Sequence, residues 1–167
     1  MTATFEICET NTVSVTISHN ISDTDMGSAD SATVDPVANP ITPGSNSFEK
    51  WQRIHVTAMG GSSKIDNLQV WRTGALGANA THLTNARTSS YGGAPTYATP
   101  TASNSSVATQ TMPSSDPGAA NLGIGGSLTG NLTATGYSDY LVHQIQTTGS
   151  ATTGTTTTMN YQYDETA

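Results

Sequence analysis

Four histidines are the first candidates for chemistry in this chain: His19, His55, His82 and His143. Imidazole can shuttle protons near neutral pH and is the commonest metal ligand, but histidine metal ligands often follow short spacings such as H-x-x-x-H. No two of these histidines are spaced in that way. The sequence therefore predicts no metal site and no catalytic histidine, and it favours hydrogen-bonded sheet positions for His55 and His143.

The other groups that could act in catalysis are also dispersed. Serine is abundant, but the G-x-S-x-G motif of a serine nucleophile is absent. A glycosidase needs two carboxyl groups in one cleft, whereas the acidic residues of the strand-like segments are scattered, at Glu6, Glu9, Glu49, Asp66 and Asp139. The sequence therefore predicts that the chain is not an enzyme and carries no cofactor.

A single cysteine and an aspartate-rich segment could also supply ligands. Cys8 cannot form an intrachain disulfide, and its apolar neighbours Phe5 and Ile7 predict a small buried side chain. Residues 23–35 are rich in aspartate, but Gly27 comes one position too early for a calcium loop of the EF-hand pattern. A solvated acidic loop is favoured over a calcium site.

Two tryptophans, Trp51 and Trp71, are the clearest binding feature of the sequence. Both are expected on adjacent strands of one hairpin, and Arg53 is a polar neighbour on the same face as Trp51. Exposed aromatic rings on a sheet can stack against a sugar ring. The favoured alternative is that the tryptophans pack under loops or at a subunit contact. Trp51, Trp71 and Arg53 are therefore the candidate residues for ligand or subunit contact.

The elements that position these residues are predicted to be strands. Only 10% of the residues are charged, compared with about 25% in an average protein, and a Thr-rich chain with few Lys and Glu favours strands over helices. Alternation of polar and apolar residues predicts the longer strands at 3–18, 47–59, 64–72, 137–147 and 155–163. Shorter strands are predicted at 80–86, 95–99, 106–112 and 128–133.

Turn residues predict how these strands connect. The glycine-rich turn at 60–63 predicts a hairpin between the strands that flank it, and residues 147–154 predict a second hairpin between the last two strands. Ile65 is out of phase with Leu68, which predicts a bulge near Asp66 and Asn67.

The strand pattern predicts the fold class. We expect residues 1–167 to form a single all-β domain, a two-sheet antiparallel β-sandwich of jelly-roll type. An immunoglobulin-like sandwich is the rival topology. Residues 19–46 and 74–127 are expected to be long polar loops, and they are longer than the loops of an isolated compact domain.

Charge and hydropathy exclude several classes of partner. The net charge is −7 with only five basic residues, which argues against a nucleic-acid partner because phosphate binding needs a basic surface. Four of these basic residues are expected on the outer faces of strands: Lys50, Arg53, Lys64 and Arg72. The N-terminal sequence predicts no signal peptide, and the absence of an apolar run of about 20 residues predicts no membrane span.

Several segments of the chain resemble small structural proteins of tailed-bacteriophage virions. They are SFEKWQRIHVT, KIDNLQVWRTG, ANLGIGGSLTG, GYSDYLVHQIQTTG and YQYDE, within residues 45–165. The resemblance lies in the style and order of the segments, and it implies a head decoration protein or a neck or tail component. Such a protein is made in the host cytoplasm, resides in the virion, and has no catalytic residues to transfer to this chain.

The expected partners are other virion proteins and copies of the same chain, with a trimer as the expected homo-oligomer. A surface rich in Thr, Ser and Asn can form direct and water-bridged hydrogen bonds across a contact with less desolvation than ions require. We expect the two long loops to lie against other subunits. The alternative function is a carbohydrate-binding β-sandwich module that acts in host adsorption, with a glycan as its partner.

Overall fold

The computed structural model describes residues 2–11, 16–85, 110–152 and 154–167, in which all regular structure is β-strand. Within these residues, no helix has the length and apolar character needed to cross a membrane. The strands are β1 Thr4–Asn11, β2 Thr16–Ser18, β3 Lys50–Ala58, β4 Lys64–Thr73, β5 Ala80–Asn85, β6 Gln110–Thr111, β7 Gly136–Tyr137, β8 Leu141–Thr147 and β9 Thr158–Thr166.

These strands form two antiparallel sheets. The larger sheet has seven strands in the order β2-β1-β3-β8-β5-β6, with β7 paired to β3. The smaller sheet consists of β4 and β9. The prediction of an all-β chain with two antiparallel sheets is therefore confirmed.

One hydrophobic core joins the two sheets. Its buried side chains come from strands of both sheets and from residues 112–124, and they include Ile54, Val56, Ile65, Leu68, Val70, Met112, Leu122, Ile124 and Leu141. Met159, Tyr161 and Tyr163 of β9 pack against the same cluster. Burial of this apolar surface is the main driving force that holds the small sheet against the large one.

The predicted bulge in β4 is confirmed. The register between β4 and β9 shifts between Asp66 and Gln69, and Asn67 has a φ of 52°. Asparagine is one of the few residues that adopts this left-handed conformation readily. The bulge restores the inward direction of Leu68 and Val70 after Ile65, and all three are buried.

Both predicted hairpins are wrong. The turn at 60–63 connects β3 to β4, but β3 pairs with β1, β7 and β8 while β4 pairs with β9. Likewise β8 pairs with β3 and β5, although β9 follows it in the chain. Each connection carries the chain from one sheet to the other because the apolar faces of the successive strands contact the shared core.

Other predicted strands differ in extent. The predicted strand 3–18 forms two strands, β1 and β2, which pair with each other. Of 106–112, the strand β6 covers Gln110–Thr111, and in 128–133 Leu132 forms only an isolated bridge with Ile65. The prediction for 95–99 lies outside the described residues.

Residues 19–49 connect β2 to β3 and include the segment 19–46 that was predicted as a long loop, and this connection contacts its own domain. The amide of Ile21 donates to the carbonyl of Ile7 at 2.9 Å, and the amide of Ser47 donates to that of Ile145 at 2.8 Å. Gly27 is buried inside the loop, where an added Cβ would lie 2.6 Å from the carbonyl oxygen of Asn39. The loop is therefore packed without a second subunit, and its predicted contact with other subunits stays a prediction.

Candidate metal centre and its surroundings

Three adjacent strands bring four metal-type side chains to one face of the large sheet. In the β1–β3 register, Glu6 lies opposite His55 and Cys8 lies opposite Arg53. Glu6 and Cys8 share a face because successive side chains of a strand alternate between faces. His19 follows β2 directly, and the β1–β2 register carries it to the side of Cys8.

The donor atoms of this group are close together. Nδ1 of His19 and Nδ1 of His55 each donate a hydrogen bond of 2.7 Å to Oε1 of Glu6, since an ionised carboxylate can only accept. Sγ of Cys8 lies 3.3 Å from Nδ1 of His19 and 3.6 Å from Oε1 of Glu6. All four ligand atoms lie within 4.8 Å of one another.

In the described part of the chain, no other group of three or more His, Cys, Asp or Glu side chains could hold a metal ion. The aspartate-rich segment 23–35 contributes no such group, and its interpretation as an acidic loop stays a prediction. Spacing along the chain gave no sign of the group because its members come from β1, β3 and the end of β2.

The hydrogen bonds and burial of the group set its protonation. The hydrogen bonds from His55 and His19 lower the pKa of Glu6 to about 2. Burial, followed by the neighbouring charge of Glu6, raises the pKa of the Cys8 thiol to about 11. Without a metal, the carboxyl group is therefore ionised and the thiol is protonated at neutral pH.

The group is closed on the protein side and open toward solvent at His19. Cys8 is buried, as predicted, whereas the side chain of His19 is 50% exposed. A buried thiol with a raised pKa is a poor nucleophile. The contact between Cys8 and His19 therefore suits metal coordination better than nucleophilic catalysis.

Aromatic side chains from β3, from β7 and from the segment before β8 lie beside this group. The ring of His55 stacks on Tyr137 at 4.1 Å with an interplanar angle of 9°. The guanidinium of Arg53 packs over Tyr137 at 4.2 Å and over Tyr140 at 4.4 Å, and Tyr140 makes an edge contact with Trp51 at 5.1 Å. These contacts fix the ring of His55 and the outer face of β3.

The structure places the two tryptophans in different sheets, although the sequence predicted them on adjacent strands of one hairpin. Trp51 and Arg53 lie on β3 of the large sheet, where they contact Tyr140, whereas Trp71 lies on β4 of the small sheet. Trp51 is only 2% exposed, so a sugar ring cannot stack on it. The predicted pair is wrong because the turn at 60–63 joins two sheets. The sequence did not indicate that Tyr137 and Tyr140 contact Arg53, because the pairing of β7 with β3 joins segments that are distant in the chain and leaves no local sequence pattern.

A buried ion pair lies on the opposite face of β1 and β3. Nζ of Lys50 is 3.1 Å from Oε1 of Glu9, and the two side chains are 1% and 0% exposed. Glu9 also accepts hydrogen bonds from Asn11, Gln52 and Thr24. The carboxylate is therefore surrounded by donors, as a buried charge requires.

The expectation that Lys50 lies on an outer face is wrong. Lys50 shares the inward face of β3 with Gln52 and Ile54, so the strand that buries Ile54 also buries the lysine. Nζ of Lys50 also donates to the carbonyl oxygen of Ser31. The lysine thereby links the loop 19–49 to the sheet.

Two further histidines form a buried pair between β5 and β8. Nε2 of His82 lies 2.9 Å from Nδ1 of His143. The other ring nitrogens, Nδ1 of His82 and Nε2 of His143, have no hydrogen-bond partner within the residues that the structure describes. Burial, with a smaller effect of Arg72, lowers the pKa of His82 to about 4, and burial also holds the pKa of His143 well below its usual value. The predictions of hydrogen-bonded sheet positions for His143 and His55 are confirmed.

Comparisons of the chain with protein-family models, with curated proteins and with solved structures find no match.

Proposed function

We propose that this chain is a non-enzymatic structural subunit of a tailed-phage virion, either a head decoration protein or a neck or tail component. In this proposal it assembles with copies of itself and with other virion proteins. The two sheets would form a β-sandwich of jelly-roll type, a proposal supported by their shared core. The observation that carries the assembly role is the outer edge of β9.

β9 offers a long strand edge for pairing with another chain. It spans nine residues, and β4 is its one strand partner among residues 2–11, 16–85, 110–152 and 154–167. Exposed edges present unpaired N–H and C=O groups, and monomeric proteins usually protect them with Pro, Lys or a bulge. The strand TMNYQYDET contains no proline and no lysine, and its charged residues are confined to its C-terminal end, at Asp164 and Glu165. This edge therefore supports β-augmentation by a neighbouring subunit.

The opposite edge of the small sheet is already covered. The amide of Arg72 donates to the carbonyl of Pro113 at 2.8 Å, and the amide of Leu122 donates to that of Leu68 at 3.2 Å. Leu132 forms a bridge with Ile65 on the same edge of β4. This contrast between β4 and β9 supports β9 as the assembly edge.

Sedimentation velocity over a range of protein concentrations tests the assembly. The wild-type chain should form a discrete oligomer, with the trimer as the expected state. A lysine on the edge strand should oppose strand pairing, so Gln162→Lys should shift the distribution to monomer. The matched control is Thr81→Lys, at an exposed position of β5, which should leave the oligomer unchanged.

The virion role has its own test. Purified phage particles should contain the chain at a fixed stoichiometry, and added protein should co-sediment with particles that lack it. A wild-type chain that stays monomeric at all concentrations and does not associate with particles would overturn the proposal.

The carbohydrate-binding alternative was based on two exposed tryptophans on adjacent strands, and the structure does not have this arrangement. Trp51 is buried, and Trp71, which is partly exposed, belongs to the other sheet. A glycan site on this chain would therefore have to use Trp71 without its predicted partner. Binding on a glycan array that is abolished by Trp71→Ala would revive the alternative, and an array without binding would exclude it for the glycans tested.

A further inference from the structure

We infer that Glu6, Cys8, His19 and His55 form a zinc site that fixes the edge of the large sheet. The inference is independent of the virion role. It rests on the type, distance and placement of four side chains.

The set of donor atoms matches Zn²⁺. The group offers one thiol sulfur, two imidazole nitrogens and one carboxylate oxygen, and these are the ligands that Zn²⁺ takes in proteins. Ca²⁺ and Mg²⁺ require oxygen ligands throughout. A sulfur and two nitrogens therefore exclude the hard cations and select a borderline-soft metal ion.

The distances fit a tetrahedral ion after side-chain shifts of about 1 Å, because some of the ligand atoms are up to 4.8 Å apart. Bond lengths of about 2.0–2.3 Å place tetrahedral ligand atoms about 3.3–3.8 Å apart. Sγ of Cys8 already lies 3.3 Å from Nδ1 of His19 and 3.6 Å from Oε1 of Glu6. The two 2.7 Å contacts of Glu6 are hydrogen bonds, and they would lengthen by about 1 Å or less when the ion replaces the shared protons.

The charges and surroundings also fit. A thiolate from Cys8 and the carboxylate of Glu6 would neutralise the two positive charges of the ion, which reduces the penalty of holding it in a partly buried site. Tyr137 stacks on the ring of His55 and thereby fixes its orientation. The half-exposed His19 provides the entry path.

Four protein ligands make a closed site, which is typical of structural rather than catalytic zinc. β2 has three residues and pairs with β1 alone in the described part of the sheet. A bond from His19 to the ion would tie this short edge strand to Cys8 on β1 and to His55 on β3. The ion would therefore stabilise an edge strand that is held by only three backbone register pairs.

Cobalt titration of the untagged full chain tests the inference directly. Co²⁺ should bind at one ion per chain and give a sulfur-to-cobalt charge-transfer band together with the intense visible bands of a tetrahedral site. Added Zn²⁺ should remove both. At a free zinc concentration of a hundred times Kd, the Tm should rise by about 5–10 °C. A wild-type chain with no charge-transfer band and no zinc-dependent Tm shift would overturn the inference.

Variants locate the site. Cys8→Ser should abolish the charge-transfer band, and His19→Ala should weaken Co²⁺ and Zn²⁺ binding by about a hundredfold or more. His19 is the more exposed ligand, so its variant is expected to fold even if Cys8→Ser does not. The matched control Asp66→Asn, which removes a carboxylate paired with Lys64, should bind as the wild type does. Wild-type affinity in His19→Ala would contradict the site.

Discussion

The buried pair of Lys50 and Glu9 leads to the most specific stability prediction. Replacement of Lys50 by Met keeps most of the aliphatic volume but leaves the carboxylate of Glu9 buried without its cation. Loss of one partner of a buried ion pair costs about 3–5 kcal/mol of unfolding free energy. Glu9 would keep the hydrogen bonds from Asn11, Gln52 and Thr24, so we expect Lys50→Met to cost about 3 kcal/mol, at the lower end of this range.

The double variant Glu9→Gln/Lys50→Met distinguishes the cost of an unpaired buried charge from the cost of changed side-chain packing. Because no buried charge remains, it should be about 1–2 kcal/mol more stable than Lys50→Met alone. Lys64→Met is the matched control, since Lys64 and Asp66 form a pair whose side chains are 39% and 28% exposed. Removal of such an exposed pair should cost less than about 1 kcal/mol.

Urea unfolding at pH 7, followed by circular dichroism, gives the unfolding free energy of each variant. For a chain of this length, the loss in Lys50→Met corresponds to a decrease of Tm on the order of 10 °C. If Lys50→Met is no less stable than Lys64→Met, or if the double variant is no more stable than Lys50→Met, the buried charge of Glu9 does not control the stability of this region.

Three further predictions follow from other sites. The folded pKa of His82, about 4, lies below the unfolded value of about 6.5. Because the unfolded state therefore binds the proton more tightly, the unfolding free energy should fall by about 2 kcal/mol between pH 6.5 and pH 5. An unfolding free energy that is the same in urea titrations at these two pH values would contradict this prediction. Gly27→Ala should lower Tm by several degrees because its Cβ would lie within 3 Å of two atoms, whereas Gly149→Ala has open space and should not; equal melting temperatures would refute the clash. Asn67→Val, at a φ of 52°, should cost about 1–2 kcal/mol in the same urea assay, and Asn67→Gly should not; a stable valine variant would argue against the bulge.

The sequence predicted the strands better than their pairing. Alternation located β3 and β8 because Ile54, Val56 and Leu141 must face the core. The bulge was visible because one extra residue shifts Leu68 out of phase with Ile65. Pairing was not visible, since the turn at 60–63 is compatible both with a hairpin and with a connection between two sheets.

The candidate metal centre could not be predicted from spacing. His19 and His55 lie far from each other in the chain, and they meet only through the registers of β1 with β2 and with β3. The buried position of Lys50 was missed for a related reason. Alternation places Lys50 on the inward face, but hydropathy assigns a lysine to solvent, and only the position of Glu9 on the neighbouring strand reverses that preference.

The contact between Lys50 and the carbonyl oxygen of Ser31 couples the motion of a loop to the integrity of the sheet. If the segment 19–49 lifted away, Nζ of Lys50 would lose this acceptor and Glu9 would lose the hydrogen bond from Thr24. Opening of the loop would therefore expose to solvent a charged pair that is buried in the closed domain. The loop and the strands beneath it should behave as one cooperative unit, in which the amides of Ile21 and Ser47 exchange their hydrogens with solvent as slowly as those of β3.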